Sequence, residues 1–248
     1  VAVELLDKRE IRIRRLFGQI AGWYDFLNHF LSLNIDKRWR RKTSQLVPAR
    51  CAENGPILDL CTGTGDLALT YDSSTGGSVP IVGADFCHEM LVRAVGKAAR
   101  AGAASRIRFV EADAQALPFP DQTFQIVSVA FGLRNITDTD RGLAEMARVL
   151  KPGGRLAVLE FSKPRHPLLN RLYLWYFRYA LPLIGQLLSR SRENAYRYLP
   201  ESVLRFPDYE ALAERIRGHG LKDVAYHPLT FGIATLYVGV KPLQPAKA

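Results

Sequence analysis

A chain of 248 residues with 48% hydrophobic content can build a substantial core and fits one ordinary α/β domain with additions. A formal net charge of +10 points to an anionic partner, either nucleic acid or an anionic membrane surface, and charge alone does not choose between them. Three cysteines, Cys51, Cys61 and Cys87, lack metal-ligand spacing and their odd number argues against a disulfide framework. No metal is therefore expected, and a reducing cytoplasm is the simplest setting. Residues 1–15 are basic and broken by charge every few positions, which is not a secretory pattern.

Residues 4–20 read as a basic amphipathic helix, with Leu5, Leu6, Ile11, Leu16 and Ile20 among Lys8, Arg9, Arg12 and Arg15. An aromatic stretch with Trp23, Tyr24, Asp25 and Asn28 follows, then a basic run over 36–42. These are expected to be helices covering the mouth of the domain; a solvated basic helix with one packed side is the plainer alternative. From residue 56 onward strands and helices alternate. Strands fit at 56–61, 80–85, 106–111, 124–130 and 154–161, and helices at 65–72, 88–101 and 138–150. Such alternation predicts a mostly parallel sheet wrapped by helices. Residues 73–78 read as a surface loop, and Pro152-Gly153-Gly154 as a helix stop and turn.

The run 165–199 breaks that rhythm. It is the most apolar segment, with Leu168, Leu172, Trp175, Tyr179, Leu183 and Leu187 interrupted or flanked by Arg171, Arg178 and Arg190. A spanning helix needs about 20 predominantly apolar residues, and here Arg178 and Pro182 intervene. One or two helices inserted after the fifth strand are expected. They suit a membrane interface, a lipid-lined pocket or a cap on the sheet, and these are compatible. Asp208 is placed to N-cap a helix over 209–217. Residues 224–229 and 233–240 then read as a short antiparallel pair at the sheet edge.

Chemistry gathers at the strand ends. Ile57-Leu58-Asp59-Leu60 leads into Cys61-Thr62-Gly63-Thr64-Gly65-Asp66, a strand feeding a glycine turn and a helix. Glycines there let the backbone approach a ligand. A P-loop would need Lys-Ser/Thr after the second Gly, and Asp66-Leu67 stands there instead. The dinucleotide spacing of three glycines also fails, and Asp66 is unsuited to a pyrophosphate. Asp85, 20 residues after Gly65, can accept ribose hydroxyl protons, and Asp113 falls at the end of the third strand in the same crevice. Asp59, Asp66, Asp85 and Asp113 together suit a cationic nucleoside such as S-adenosylmethionine; an ordinary turn with no ligand is the bland reading. At the end of the fourth strand, Phe131-Gly132-Leu133-Arg134-Asn135 offers a guanidinium and an amide where a substrate would meet the cofactor. Arg134 paired with a core carboxylate is the alternative for that residue.

With these pieces assembled, the chain resembles the ubiquinone/menaquinone biosynthesis C-methyltransferases, from about residue 17 to 241. The resemblance rests on Tyr24-Asp25 with Asn28, Leu58-Asp59-Leu60 with Gly63-Thr64-Gly65-Asp66, Asp113-Ala114 with Leu117-Pro118-Phe119, and Phe131-Gly132-Leu133-Arg134-Asn135. It also rests on Arg148 through Gly154, Leu159-Glu160-Phe161-Ser162, and Tyr198-Leu199-Pro200 with Ser202. The glycine turn is generic to methyltransferases; the Phe-Gly-Leu-Arg-Asn and Leu-Glu-Phe-Ser strings are specific to this family. The resemblance implies an α/β, class I S-adenosylmethionine-dependent methyltransferase (Rossmann-like) fold. Its sheet would be seven-stranded and mostly parallel with an antiparallel last strand, accompanied by N-terminal helices and a helical insertion after strand 5. The whole of 1–248 would form one methyltransferase domain, with a helical cap (1–50), a cofactor-binding core (56–164), the apolar insertion (165–199) and a C-terminal helix with edge strands (200–241). It implies S-adenosyl-L-methionine as cofactor, held by a set made of Asp59, Gly63, Thr64, Gly65, Asp85, Phe86, Asp113 and Ala114. Arg134, Asn135 and Tyr24 would serve the reaction, methylation of a ring carbon on a polyprenylated quinol. Two departures stand out: Cys61-Thr62 where many relatives carry Gly or small residues, and Ala130 where some carry Ser.

A quinol with a prenyl tail sits in a bilayer, so peripheral contact with the anionic inner face of the membrane is expected, and nucleic acid is not. A nucleic-acid methyltransferase would want an Asn/Asp-Pro-Pro-aromatic string or a nucleophilic Cys after the fourth strand, and neither is present. A non-catalytic cofactor-binding subunit is the other class, against which Arg134-Asn135 argues. Demethylmenaquinol is favoured over the benzoquinol of the ubiquinone route, and the oligomeric state, homodimer included, stays open.

Overall fold

The structure is a computed structural model, which describes Arg14, Gly18, Ser32, and residues 34–180 and 195–243. The helix expected over 4–20 and the stretch holding Tyr24, Asp25 and Asn28 lie outside the described residues, Arg14 and Gly18 apart.

Seven strands form one sheet in the order β3-β2-β1-β4-β5-β7-β6. They are β1 (Ile57–Leu60), β2 (Ile81–Asp85), β3 (Ile107–Glu111), β4 (Phe124–Ala130), β5 (Leu150–Phe161), β6 (Lys222–Leu229) and β7 (Ala234–Val240). The first five pair in parallel, while β7 runs antiparallel between β5 and β6. Strands buried on both faces read as unbroken apolar runs. That is why Ile57-Leu58 and Ile126-Val127 sit at the centre, all fully buried.

The helices are α1 (Ile35–Leu46), α2 (Asp66–Ser74), α3 (His88–Arg100), α4 (Thr139–Val149), α5 (Pro167–Trp175), α6 (Ala195–Arg205) and α7 (Tyr209–Gly218). On one face of the sheet, Leu143, Met146 and Val149 of α4 and Leu212, Ala213 and Ile216 of α7 pack with Leu58, Val127 and Leu156. On the other, Trp39 of α1, Leu67, Ala68 and Tyr71 of α2 and Ala98 of α3 pack with Ile57, Ile81 and Ile126. α4 begins where Asp138 accepts the N–H groups of Asp140 and Arg141 at 3.1 and 3.0 Å, capping orphan donors of the first turn.

Three expectations need adjusting. Asp208 stands at the N-cap of α7 without a side-chain cap bond; its carboxylate instead binds the Lys163 N–H and ammonium, each at 3.2 Å. A neighbouring cation outcompetes the helix amides for that carboxylate. Pro152-Gly153-Gly154 is not a turn before the strand but an irregularity within β5, where pairing to β4 jumps from Leu150 to Arg155. The surface loop expected at 73–78 is shorter, because α2 continues to Ser74. The insertion begins as α5 and continues directly into a π turn, Tyr176–Ala180.

Candidate active site

The strand order reverses direction between β1 and β4, and open α/β sheets place ligands beyond the carboxyl ends of strands at such a point. A crevice opens there, lined by Gly63, Asp85, Phe86, Asp113, Phe131 and Asn135, among others. The backbone at its floor is unusual. Cys61 after β1 has φ 52° and Phe131 after β4 has φ 58°, a region that side chains disfavour. A Cβ on Gly132 would come within 2.4 Å of the Cys61 Cβ, so the two strand ends touch backbone to side chain. Strain of this kind collects at functional sites. It also explains why glycine would suit position 61, where this chain carries cysteine. Loss of solvent and the carboxylates of Asp85, Asp59, Glu160 and Asp113 push the Cys61 thiol well above its ordinary pKa.

The acidic residues divide into two sorts. Asp85 ends β2 inside the crevice. Its Oδ2 accepts the Gly63 N–H at 2.8 Å and its Oδ1 the Cys87 N–H at 2.9 Å, so it ties the glycine turn to the next loop. Burial raises its pKa to about 6 despite those bonds. Asp113 also lines the crevice, with Oδ1 held by the Gln115 N–H at 2.9 Å. Asp59, by contrast, is 1% exposed and does not reach the crevice. It accepts from Thr62 Oγ1 at 2.6 Å, Ser128 Oγ at 3.1 Å and the Ala68 N–H at 3.1 Å, pinning the turn from beneath. Burial lifts its pKa to about 6 as well. Thr64 is buried against Lys97, and the Asp66 carboxylate is neutralised by Lys97 and by Arg40 at 3.6 Å. Gly65, at φ 85°, starts α2, and a side chain there would press on Ala94 and Phe109 at 3.3 Å. The structure thus gathers Gly63, Asp85, Phe86, Asp113, Ala114 and Asn135 at one surface, with Asp59, Thr64 and Gly65 supporting them.

The two candidate reaction residues on β4 also separate. Arg134 is 5% exposed and is not part of the crevice lining. Its Nη1 donates to Glu160 Oε1 at 2.7 Å and to the Phe131 carbonyl at 2.5 Å. Its guanidinium carbon lies 5.4 Å from the Phe161 ring centre. The alternative of a core carboxylate partner is what the geometry displays. Asn135 faces the crevice, and its Oδ1 accepts from Tyr198 at 3.1 Å. Phe131 and Phe161 stack with ring centres 4.5 Å apart, and Trp39 of α1 meets both at 5.9 and 6.2 Å. The basic run 36–42 therefore does lie over the strand ends, through the buried side of α1.

Glu160 and Tyr198 were not singled out by residue chemistry and entered only through family strings. Glu160 had a readable signal: one carboxylate inside the apolar strand 156–161 needs a cation.

Asp85 and Asp113 offer acceptors at two places on the wall, while Phe86, Met90, Ala114 and Ile136 give an apolar slot between loops. Hydroxyl and amine donors joined to a flat aromatic ring fit that donor-poor, acceptor-rich lining, and S-adenosylmethionine has those groups. The model of the ubiE/COQ5 methyltransferase family matches residues 5–241. The chain is 48% identical over 240 residues to the ubiquinone/menaquinone biosynthesis C-methyltransferase UbiE of Geobacter sulfurreducens, covering 97% of this chain and 92% of that one. It is 47% identical to the demethylmenaquinone methyltransferase of Thermus thermophilus, covering 92% and 100%. Among solved structures, a Thermotoga maritima SAM-dependent methyltransferase, described as a possible histamine N-methyltransferase, aligns with a TM-score of 0.65 at 18% identity, over 92% of this chain and 99% of that one, and so supports the fold. By its sequence the chain belongs to the ubiE/COQ5 methyltransferase family, as an S-adenosylmethionine-dependent C-methyltransferase.

Proposed function

We propose that the enzyme methylates a ring carbon of a polyprenylated quinol, converting demethylmenaquinol to menaquinol. The observation that carries this reading is Asn135 in the crevice lining next to Phe131, a polar side chain beside an aromatic ring that Phe161 backs at 4.5 Å. The preference for a naphthoquinol is supported by the 47% identity to the Thermus demethylmenaquinone methyltransferase. Asp85 and Asp113 would hold the cofactor's ribose and adenine, with Gly63, Phe86 and Ala114 beside them. Bound S-adenosylmethionine supplies a methyl group activated on a sulfonium.

The chain's own task is to make a ring carbon nucleophilic and aim it. A quinol hydroxyl that loses its proton to water places electron density on the unsubstituted ring carbon beside it. The Asn135 N–H stabilises that phenolate oxygen. Arg134, paired with Glu160 and bonded to the Phe131 carbonyl, fixes the Phe131–Asn135 turn from behind. A guanidinium has N–H donors and no acceptor, so Arg134 does not take the proton. The ring carbon would take the methyl as the sulfonium–methyl bond breaks, leaving S-adenosylhomocysteine; the ring proton then passes to water and aromaticity returns. Positioning is the dominant contribution. Phe131 in the crevice lining, backed by Phe161 and Trp39, would exclude water from one side of the ring. Tyr24, outside the described residues, is proposed to close the pocket.

The tail calls for an apolar surface. Among the described residues no helix is long and apolar enough to cross a membrane. α5 and the π turn instead present Leu168 (73% exposed), Leu172 (62%), Trp175 (56%) and Tyr179 (66%) along one stripe, with exposed Arg171 and Arg178 beside it. That combination suits peripheral contact with an anionic bilayer.

The test is methyl transfer to reduced short-tailed demethylmenaquinol, followed by mass spectrometry, alongside the demethylated benzoquinol and both oxidised rings. The naphthoquinol is expected to be methylated fastest and the quinones not at all. Equal methylation of the oxidised ring would sink the mechanism, and faster benzoquinol turnover would move the substrate to the ubiquinone route. Arg134→Ala is expected to lower turnover at least ~10-fold with cofactor affinity retained, because the Phe131–Asn135 turn loses its anchor; normal turnover would remove Arg134 from the reaction.

A further inference from the structure

The orientation of the Asn135 amide is decided by its neighbours. Nδ2 lies 3.4 Å from the Phe131 carbonyl oxygen, and Oδ1 lies 3.1 Å from the Tyr198 hydroxyl. A carbonyl oxygen only accepts, so the nitrogen must be the amide atom that faces Phe131. The amide oxygen is then turned toward Tyr198. A phenol can donate or accept, and against a carbonyl oxygen it must donate. The amide nitrogen carries two N–H groups. One is directed at Phe131, which leaves the other for the crevice that Asn135 lines. A flipped amide would set two carbonyl oxygens against each other and present an acceptor to the guest in place of a donor.

Tyr198 reaches this position from α6, where it is 4% exposed, 63 residues along the chain from Asn135. Its hydroxyl is placed by a helix that packs against the Leu133–Asn135 turn. We infer that Tyr198 is a positioning residue for methyl transfer: its hydroxyl locks the Asn135 amide with an N–H facing the substrate oxyanion. This rests on the reading above, in which Asn135 meets the quinolate oxygen. Tyr198 itself need not touch the substrate. The helix following the apolar segment therefore sets the polarity of the site, and a disturbance of α6 is felt at the reacting ring.

The test is steady-state kinetics on the full chain with short-tailed demethylmenaquinol, comparing wild type, Tyr198→Phe, Asn135→Ala and the double variant. Tyr198→Phe is expected to lower kcat about fivefold to tenfold, as for loss of one buried hydrogen bond. It should leave the S-adenosylhomocysteine Kd unchanged, lower the Tm by only about 2–4 °C, the scale of one lost buried hydrogen bond, and shift the rising limb of the kcat–pH profile to higher pH, because the phenolate is less stabilised. In the Asn135→Ala background the same change should cost less than about twofold, since the two act as a unit. An unaltered pH profile in Tyr198→Phe, or an equal loss in both backgrounds, would overturn the positioning role while leaving Asn135 in the site. Full turnover by Asn135→Ala would instead defeat the substrate contact on which the inference stands. Asn135→Asp keeps an acceptor for Tyr198 but has no N–H. It should lose as much turnover as Asn135→Ala, and wild-type turnover there would overturn the inference even if Tyr198→Phe folded poorly.

Discussion

Asp85 holds two backbone N–H groups, from Gly63 and Cys87, and still has a pKa raised to about 6 by burial. Below that pH one oxygen becomes an O–H donor and must face either an amide N–H or the ligand's hydroxyls. Protonation therefore removes an acceptor from the crevice. S-adenosylhomocysteine affinity should fall as pH drops from about 7.5 to about 5, read by titration calorimetry, with most of the change near 6. Asp85→Asn should bind at least ~10-fold more weakly at neutral pH and show a flatter pH dependence; a variant that binds like wild type would remove Asp85 from the ligand. The stability of the ligand-free protein moves the opposite way. A carboxyl whose folded pKa is raised binds more protons folded than unfolded between its ordinary value, about 3.9, and about 6. Stability should thus decline as pH rises through that window. Asp59, raised by burial to about 6, adds to the stability trend without reaching the ligand.

The exposed stripe on α5 belongs to the element scale. Leu168, Leu172, Trp175 and Tyr179 are spaced four, three and four apart, while Tyr173 on the opposite side is buried with Val203 of α6. A helix so divided is anchored on one side and open on the other. Replacing Leu172 by Asp should weaken sedimentation with anionic vesicles roughly tenfold, the scale of one lost leucine burial. Its Tm and S-adenosylhomocysteine affinity should not change; undiminished vesicle binding would release α5 from the membrane role. The elements themselves were largely legible, because β1, β2 and β4 are continuous apolar runs and α4 carries its cap and its periodic apolar face in adjacent residues. What was not legible depended on tertiary partners. Asp59 and Asp85 look alike at strand ends, yet only the three-dimensional turn puts one beneath the crevice and the other in it. Arg134 could be placed at a strand end, but its capture by Glu160 requires knowing that β5 lies beside β4. The amide orientation of Asn135 needed Tyr198, which no local pattern links to it.

At the scale of the whole molecule, the +10 formal charge would supply, for the proposed membrane contact, a long-range attraction that the apolar stripe alone would lack. Salt screens it over about 8–10 Å at physiological strength. Vesicle binding should therefore weaken steeply between about 0.1 and 0.5 M NaCl, and should need anionic lipid. Binding to neutral vesicles that ignores salt would assign the contact to the stripe alone.

Cys61 sits in the crevice wall, at the point where β1 and β4 meet through Gly132. An oxidised quinone ring is an electrophile, and the species that attacks it is a thiolate, not a thiol. Burial first, and then the carboxylates around Cys61, push its thiol well above the ordinary pKa and keep the sulfur protonated. Burial in the same acidic wall that suits a cationic nucleoside therefore disarms the thiol within it. An enzyme that hosts redox-active rings is in this way protected from being arylated by its own guest.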